Sequence, residues 1–158
     1  MEQSIKTSLI GRLEAFECSI NLAANKVDSN WLWRPMNHYI SSVGVQIQHL
    51  SGNLNQYMVV NLNGSADLRD RPLEFIPSPE LGITELLAEL NKHLNSAKVA
   101  IKKAPCGVWT EVYQVQNFQM TRLEACIHGV EHLNYHLGQI ALIIKYHKPQ
   151  DLGFYPDI

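Results

Sequence analysis

The sequence predicts an all-α fold, a four-helix bundle, and two patterns predict it. Apolar residues recur at steps of three and four along four long stretches, as in amphipathic helices that pack on one another. Between those stretches the chain carries proline, glycine and asparagine clusters that stop helices. A third pattern concerns chemistry. His128, His132 and His136 follow one another at steps of four, and a lone His49 lies in an earlier helical stretch. Histidines at i, i+4 lie one above the other on a helix face.

The first helix spans residues 3–27, with Ile5, Leu9, Leu13, Phe16, Ile20 and Ala23/Ala24 on its inner face. Asp28-Ser29-Asn30 breaks it, and Trp31-Leu-Trp33-Arg-Pro35 follows, where the residue before the proline disfavours helix. Ser41-Ser42 is the expected N-cap of the second helix. Its core stripe is Val43, Ile47, Leu50, Leu54 and Tyr57, with Gln46, His49, Asn53 and Gln56 as a polar stripe alongside. Residues 61–80 read as a loop containing Asn63-Gly64, Arg69-Asp70-Arg71 and prolines 72, 77 and 79. So long a loop in a compact domain points to function.

The third helix covers about residues 83–103, with Leu86, Leu87, Leu90, Leu94 and Val99 facing inward, and stops near Ala104-Pro105-Cys106-Gly107. Trp109 to Val115 alternates with period two, so a short strand or hairpin is expected before the last helix. The fourth helix runs from Thr121 to His147. It has one apolar stripe of Leu123, Ile127, Val130, Leu137, Ala141 and Ile144. A second combines Ala125, Gly129, His132, His136, Ile140 and Ile143. So wide an arc implies burial on more than one side, against sister helices and a second subunit.

The 158 residues fit one domain, 1–158, with no repeat or linker. A net charge of −2 without a basic block gives no support to nucleic-acid binding. No apolar run reaches the roughly 18–20 residues of a membrane span, and Met1–Lys6 lacks the apolar core of a signal peptide. Three cysteines without regular spacing argue against a disulfide framework, which makes the cytoplasm the expected compartment.

Among the seven histidines, His38, His93 and His147 sit in loops or near helix ends and read as surface groups. His132 and His136 are different. Two imidazoles on a small, apolar face are costly to bury without partners, and a shared metal supplies both at once. Spacing alone leaves a metal and a chance pair equally open. His128/His132 has the same spacing, but four residues turn a helix by about 40°, and His136 lies nearer the apolar side. That favours His132/His136 as the inward pair. His49 is the best third ligand, being the only other histidine in a helix beside an apolar stripe. Three neutral imidazoles suit zinc, nickel, copper or iron(II) rather than magnesium or calcium. An HExxH protease is excluded, because Gly129 follows His128 and Leu133 follows His132.

The segments Ser42–Tyr57, around His49, and Val130–Ile140, with its His-xxx-His-xx-Gln-Ile pattern, resemble the ligand segments of the DinB-like (DinB/YfiT) superfamily. Asp67–Phe75 is similar to one branch of it whose members are mostly of unknown function. The resemblance covers nearly the whole chain. It implies a four-helix bundle with a three-histidine metal site, whose ligands here would be His49, His132 and His136, and a homodimer. Members of known activity include metal-dependent transferases and isomerases that use low-molecular-weight thiols such as mycothiol or bacillithiol. The resemblance therefore implies a zinc or nickel enzyme acting on a small molecule, a thiol transferase or small hydrolase. The rival is a non-catalytic metal-binding or stress-related interaction bundle, and a third reading is a bundle with no metal.

Other residues have weaker expectations. Arg69 and Arg71 could bind an anionic substrate or thiol carboxylate, yet pairing with Asp67, Asp70 or Glu74 to hold the loop is favoured. Asn53, and Gln56 with it, is a candidate for lining the pocket or supporting a ligand, with polar packing equally open. Gln139 could cap a pocket or bond a neighbouring helix. Tyr135 is more often an interface residue than a proton donor. Trp31, Trp33 and Trp109 are expected hydrophobic anchors, and Cys126 a small buried hydrophobe.

Overall fold

The computed structural model describes residues 1–155. The chain is mostly helical. Its elements are α1 (Glu2–Ala24), α2 (Ser29–Leu32), α3 (Val43–Leu54), α4 (Asn61–Asn63), α5 (Ile83–Lys103), the strands β1 (Val112–Val115) and β2 (Phe118–Thr121), and α6 (Arg122–His147). A π-helical turn, Asn55–Val60, fuses α3 to α4, so the second long helical segment runs unbroken from Val43 to Asn63. Both α1 and α3 pack on α5 and on α6, which sets α1 and α3 diagonally across one core.

The expected cap at Ser42 forms, and a second cap starts the last helix. Ser42 Oγ accepts from the Val45 N–H at 3.3 Å and starts α3. Thr121 and Glu124 close a capping box at the start of α6: Thr121 Oγ1 accepts from Glu124 N–H, and the Glu124 carboxylate accepts from Thr121 N–H. Gly64 ends α4 at φ 66°, a left-handed conformation glycine adopts without strain. Trp31 stacks on the His147 ring at 4.6 Å, tying the link after α1 to the end of α6. Trp33 donates its indole N–H to the Leu81 carbonyl at 2.9 Å. Its ring lies so close to Gly44 that a Cβ there would come within 2.6 Å of it.

The inner face of α1 is as expected, with Leu13 and Ile20 fully buried. Three expectations are corrected. On α5 the inner stripe continues through Ala97, Ala100 and Ile101, whereas Val99 is 48% exposed. On α6 the centre of the core stripe is Cys126, Leu133, Leu137, Ile140 and Ile144, and Ile127 is 43% exposed. The stripe read from the sequence was turned by roughly 60° at 100° per residue, because Leu133 was left out of it. Residues 61–80 are not all loop: Asn61–Asn63 continue the helix, and Arg71–Phe75 form a 3-10 turn.

The strand expected from Trp109 begins later. Gly107, at φ 84°, leads into a 3-10 turn that takes up Val108–Thr110. The hairpin is then β1 paired antiparallel with β2, Val112 opposite Thr121. Val115 packs with Tyr57 and Ala125 in a small satellite cluster. Cys18, Cys106 and Cys126 are all free thiols. Among the described residues no helix is long and apolar enough to cross a membrane.

The corrected stripe makes a prediction. Leu133→Ala is expected to cost about 2–5 kcal/mol of stability, and Val99→Ala no more than about 0.5 kcal/mol. Urea unfolding of the two variants beside the parent checks it; similar losses would contradict the assignment.

Candidate metal centre

The polar stripe of α3 is buried, unlike an ordinary solvated face: Gln46, His49, Asn53 and Gln56 are all at most 5% exposed. Buried polar groups need partners, and most of these find theirs around three histidines. His49 comes from α3; His132 and His136 come from one face of α6. His49 Nε2 and His132 Nε2 stand 2.9 Å apart. One ring nitrogen from each of the three histidines lies within 4.8 Å of the other two. Tetrahedral coordination with bonds of about 2.0–2.1 Å spaces its nitrogens by roughly 3.3 Å. The three-histidine cluster could therefore hold a metal ion.

The outer nitrogens of His49 and His136 are held. His49 Nδ1 lies 2.8 Å from Glu74 Oε2, so this nitrogen donates and Nε2 keeps its lone pair for the centre. His136 Nδ1 donates to Gln46 Oε1 at 3.2 Å in the same way. Gln46 is itself fixed by donating to the Ser41 carbonyl at 3.1 Å.

Glu74 is the hub of the support. Arg69 forks onto it, Nε to Oε1 at 2.6 Å and Nη2 to Oε2 at 2.7 Å. Such bidentate pairs fix geometry as well as charge. The third guanidinium nitrogen donates to Gln56 Oε1 at 2.7 Å, and Gln56 donates on to Asp67. Gln48 Nε2 holds the 3-10 turn that carries Glu74 by donating to the carbonyls of Leu73, Glu74 and Ile76. Burial alone would raise the Glu74 pKa; hydrogen bonds from Arg69 and His49 outweigh it and leave the carboxyl below its usual range. The group is thus an anion at neutral pH.

Gly52 makes room for this carboxylate. A Cβ at position 52 would lie 1.8 Å from Glu74 Oε1 and 2.6 Å from its Cδ. Glycine is a poor helix former, and here the close approach of Glu74 to the helix backbone requires it.

Burial, then the neighbouring His136, His49 and His128, hold the His132 pKa down to about 3. Burial and His49, against a hydrogen bond to Gln139, hold that of His136 down to about 4. Both rings are neutral at pH 7, the state that binds a metal.

The structure brings together His49, His132 and His136 in one cluster. His128 lies outside it, one turn back along α6, its ring tilted against Tyr57 at 4.5 Å and stacked on His132 at 5.8 Å. His93 sits in the middle of α5 rather than in a loop or near a helix end, and pairs with Glu89 at 3.0 Å. Arg69 is 3% exposed in its side chain and committed to Glu74, the loop-holding role. Arg71 is exposed and lies over the Phe75 ring at 4.9 Å. Asn53 is buried one turn beyond His49, and its Oδ1 has no hydrogen-bond partner. Asn53, Arg69 and Arg71 are not in the wall of the cavity beside the histidines, whereas Tyr135 and Gln139 are. Cys126 is fully buried, its pKa pushed up to about 12 chiefly by burial, and accepts from Asn61 Nδ2 at 3.5 Å.

Sequence reasoning missed the roles of Glu74, Gln46, Gln48 and Gly52. A glycine in mid-helix three residues after His49 was the available signal, because it marks a close approach. Gln46 stood in the polar stripe without a task, and Glu74 was one of three possible partners for the arginines.

Two predictions follow from this geometry. Gly52→Ala and Glu74→Gln are each expected to weaken binding of a divalent ion about 10–100-fold while helicity is kept, as read by chelator competition. Unchanged affinity in both would contradict the orienting role of Glu74. The second concerns acid. Both imidazoles are depressed below 6.5, their ordinary value, so in that window the unfolded chain binds more protons than the folded one, and stability falls as the pH is lowered. The urea midpoint of the metal-free protein is expected to drop between about pH 7 and about pH 4. The drop should be smaller in the His132→Gln/His136→Gln variant; equal slopes would contradict the neutral, buried pair.

Among curated proteins nothing matches the chain. A family described as "Protein of unknown function (DUF1572)" matches residues 3–154. That span takes in every helix of the fold and all three clustered histidines, and the chain therefore belongs to the DUF1572 family.

Proposed function

We propose that His49, His132 and His136 hold one divalent transition metal, zinc or nickel, and that the protein is a metal-dependent enzyme. The reaction type is a thiol transfer with a low-molecular-weight thiol as co-substrate, or the hydrolysis of a small molecule. The observation that carries this reading is the cavity of about 210 Å³ whose wall includes His49 and His136. A catalytic site keeps one coordination position open toward such a space, whereas a structural site closes it with a fourth protein ligand. The donors are neutral nitrogens, which favours transition metals over magnesium and calcium. The likeness to the DinB-like superfamily belongs to the same proposal. Supporting it are four long helical segments with one ligand on the second and two on the last.

A divalent ion at this centre supplies Lewis acidity, which lowers the pKa of a thiol or water at neutral pH. The chain's own contribution is orientation. Glu74 and Gln46 fix the rings of His49 and His136, and Arg69 keeps Glu74 charged and in place. Tyr135 and Gln139 stand in the cavity wall as donors to a bound substrate. The reading also takes the protein as a homodimer in the cytoplasm. Ile127, Leu142 and Tyr146, exposed by 43%, 63% and 70%, share one outward strip of α6 and support a second chain there.

Elemental analysis of the untagged protein tests the centre. About one zinc or nickel per chain is expected, and none in the His49→Ala/His136→Ala variant. A wild type that stays metal-free after reconstitution would overturn the enzyme reading. Sedimentation of the same samples is expected to give the mass of two chains, and a monomer would remove the dimer from it.

A further inference from the structure

The cavity beside the histidines has a specific chemical character. Three aromatic side chains, Tyr39, Phe75 and Tyr135, stand in its wall with the amides of Gln46 and Gln139. Tyr39 and Tyr135 are 92% and 63% exposed, so the rings reach out toward solvent. The wall contains no Asp, Glu, Lys or Arg among the described residues.

The charged groups nearby are turned to other tasks. Arg69 is held by Glu74 and Gln56. Arg71 lies on the Phe75 ring and lines a neighbouring cavity with Asp67 and Asp70. Of the two amides, Gln46 is already engaged with His136 and Ser41. Gln139 contacts His136 and is the amide with groups left for a ligand. A second charge on the part of a ligand seated against Ile40 and Val45 would lose its water and meet no opposite charge in the wall, which is costly. The volume of about 210 Å³ is that of roughly seven waters at about 30 Å³ each, the size of a benzyl group with a short head.

We infer that this cavity takes a small ligand with an uncharged, aromatic or apolar body and a single ionisable head that meets the histidine centre. Aryl and arylalkyl thiols are such ligands. Thiols that carry carboxylates or ammonium groups on the body are selected against, and Tyr39, Tyr135 and Gln139 set this preference. The inference rests on the metal-centre reading and names the substrate class for it.

Cobalt(II)-loaded full-length protein provides the test, with the sulfur-to-cobalt absorption band and calorimetry as readouts. The probes are phenylmethanethiol, 4-(mercaptomethyl)benzoate, which differs by one carboxylate, and glutathione. Phenylmethanethiol is expected to bind at least about tenfold tighter than either, a difference of about 1.4 kcal/mol. In Gln139→Lys, which puts a cation in the wall, the preference for it over the benzoate should shrink or reverse. Equal or tighter binding of the carboxylated thiols by the parent protein would overturn the inference while leaving the metal centre standing. A protein that shows no cobalt bands at all would overturn both.

Discussion

His49 and His132 point the same ring nitrogen, Nε2, at each other across 2.9 Å. His49 is 4% exposed, and the His132 pKa is held down to about 3 by burial and by the other histidines. Much of what is unusual in this molecule can be traced to keeping those nitrogens, and that of His136, turned toward one point.

The restraint is built in layers. Glu74 turns His49, Arg69 holds Glu74, and Gln56 holds Arg69, so a chain of hydrogen bonds runs from the centre out to Asp67 in the loop. Metal ligands are commonly oriented this way, and their outer partners matter nearly as much as the ligands. The backbone takes part as well. Gly52 removes the side chain that would collide with Glu74, and Gly129 lets α6 approach Met58, where a Cβ would come within 2.9 Å. The π-helical turn at Asn55–Val60 lies between Asn53 and Asn61. Such turns are frequent at functional sites, and this one carries Gln56 to the clamp and Tyr57 to His128.

The fold was legible where a single periodicity dominated. Leu9, Leu13, Phe16 and Ile20 of α1, and Val43, Ile47, Leu50 and Leu54 of α3, lie in the core where their spacing put them. The cap at Ser42 was legible because its chemistry is local. The last helix was harder. It carries a core stripe and a metal-centre stripe side by side, and two overlapping apolar arcs blur the phase by which either is read. The three histidines were found from spacing and resemblance together. Their supports were not, because Glu74 reaches His49 from 25 residues away through a 3-10 turn that proline-rich sequence disguised as open loop. For Arg69 the favoured reading, pairing to hold the loop, is the one observed, with Glu74 as its partner among the three carboxylates on offer.

The central claim is that these histidines form an open, three-nitrogen metal centre facing a neutral cavity. X-ray absorption at the metal edge of the reconstituted protein tests it most directly, with and without phenylmethanethiol. The account predicts outer-shell scattering from three imidazoles in the resting sample, and a new sulfur shell at about 2.3 Å once the thiol is added. A spectrum that does not change with thiol, or one that shows fewer than three imidazoles on the ion, would contradict it.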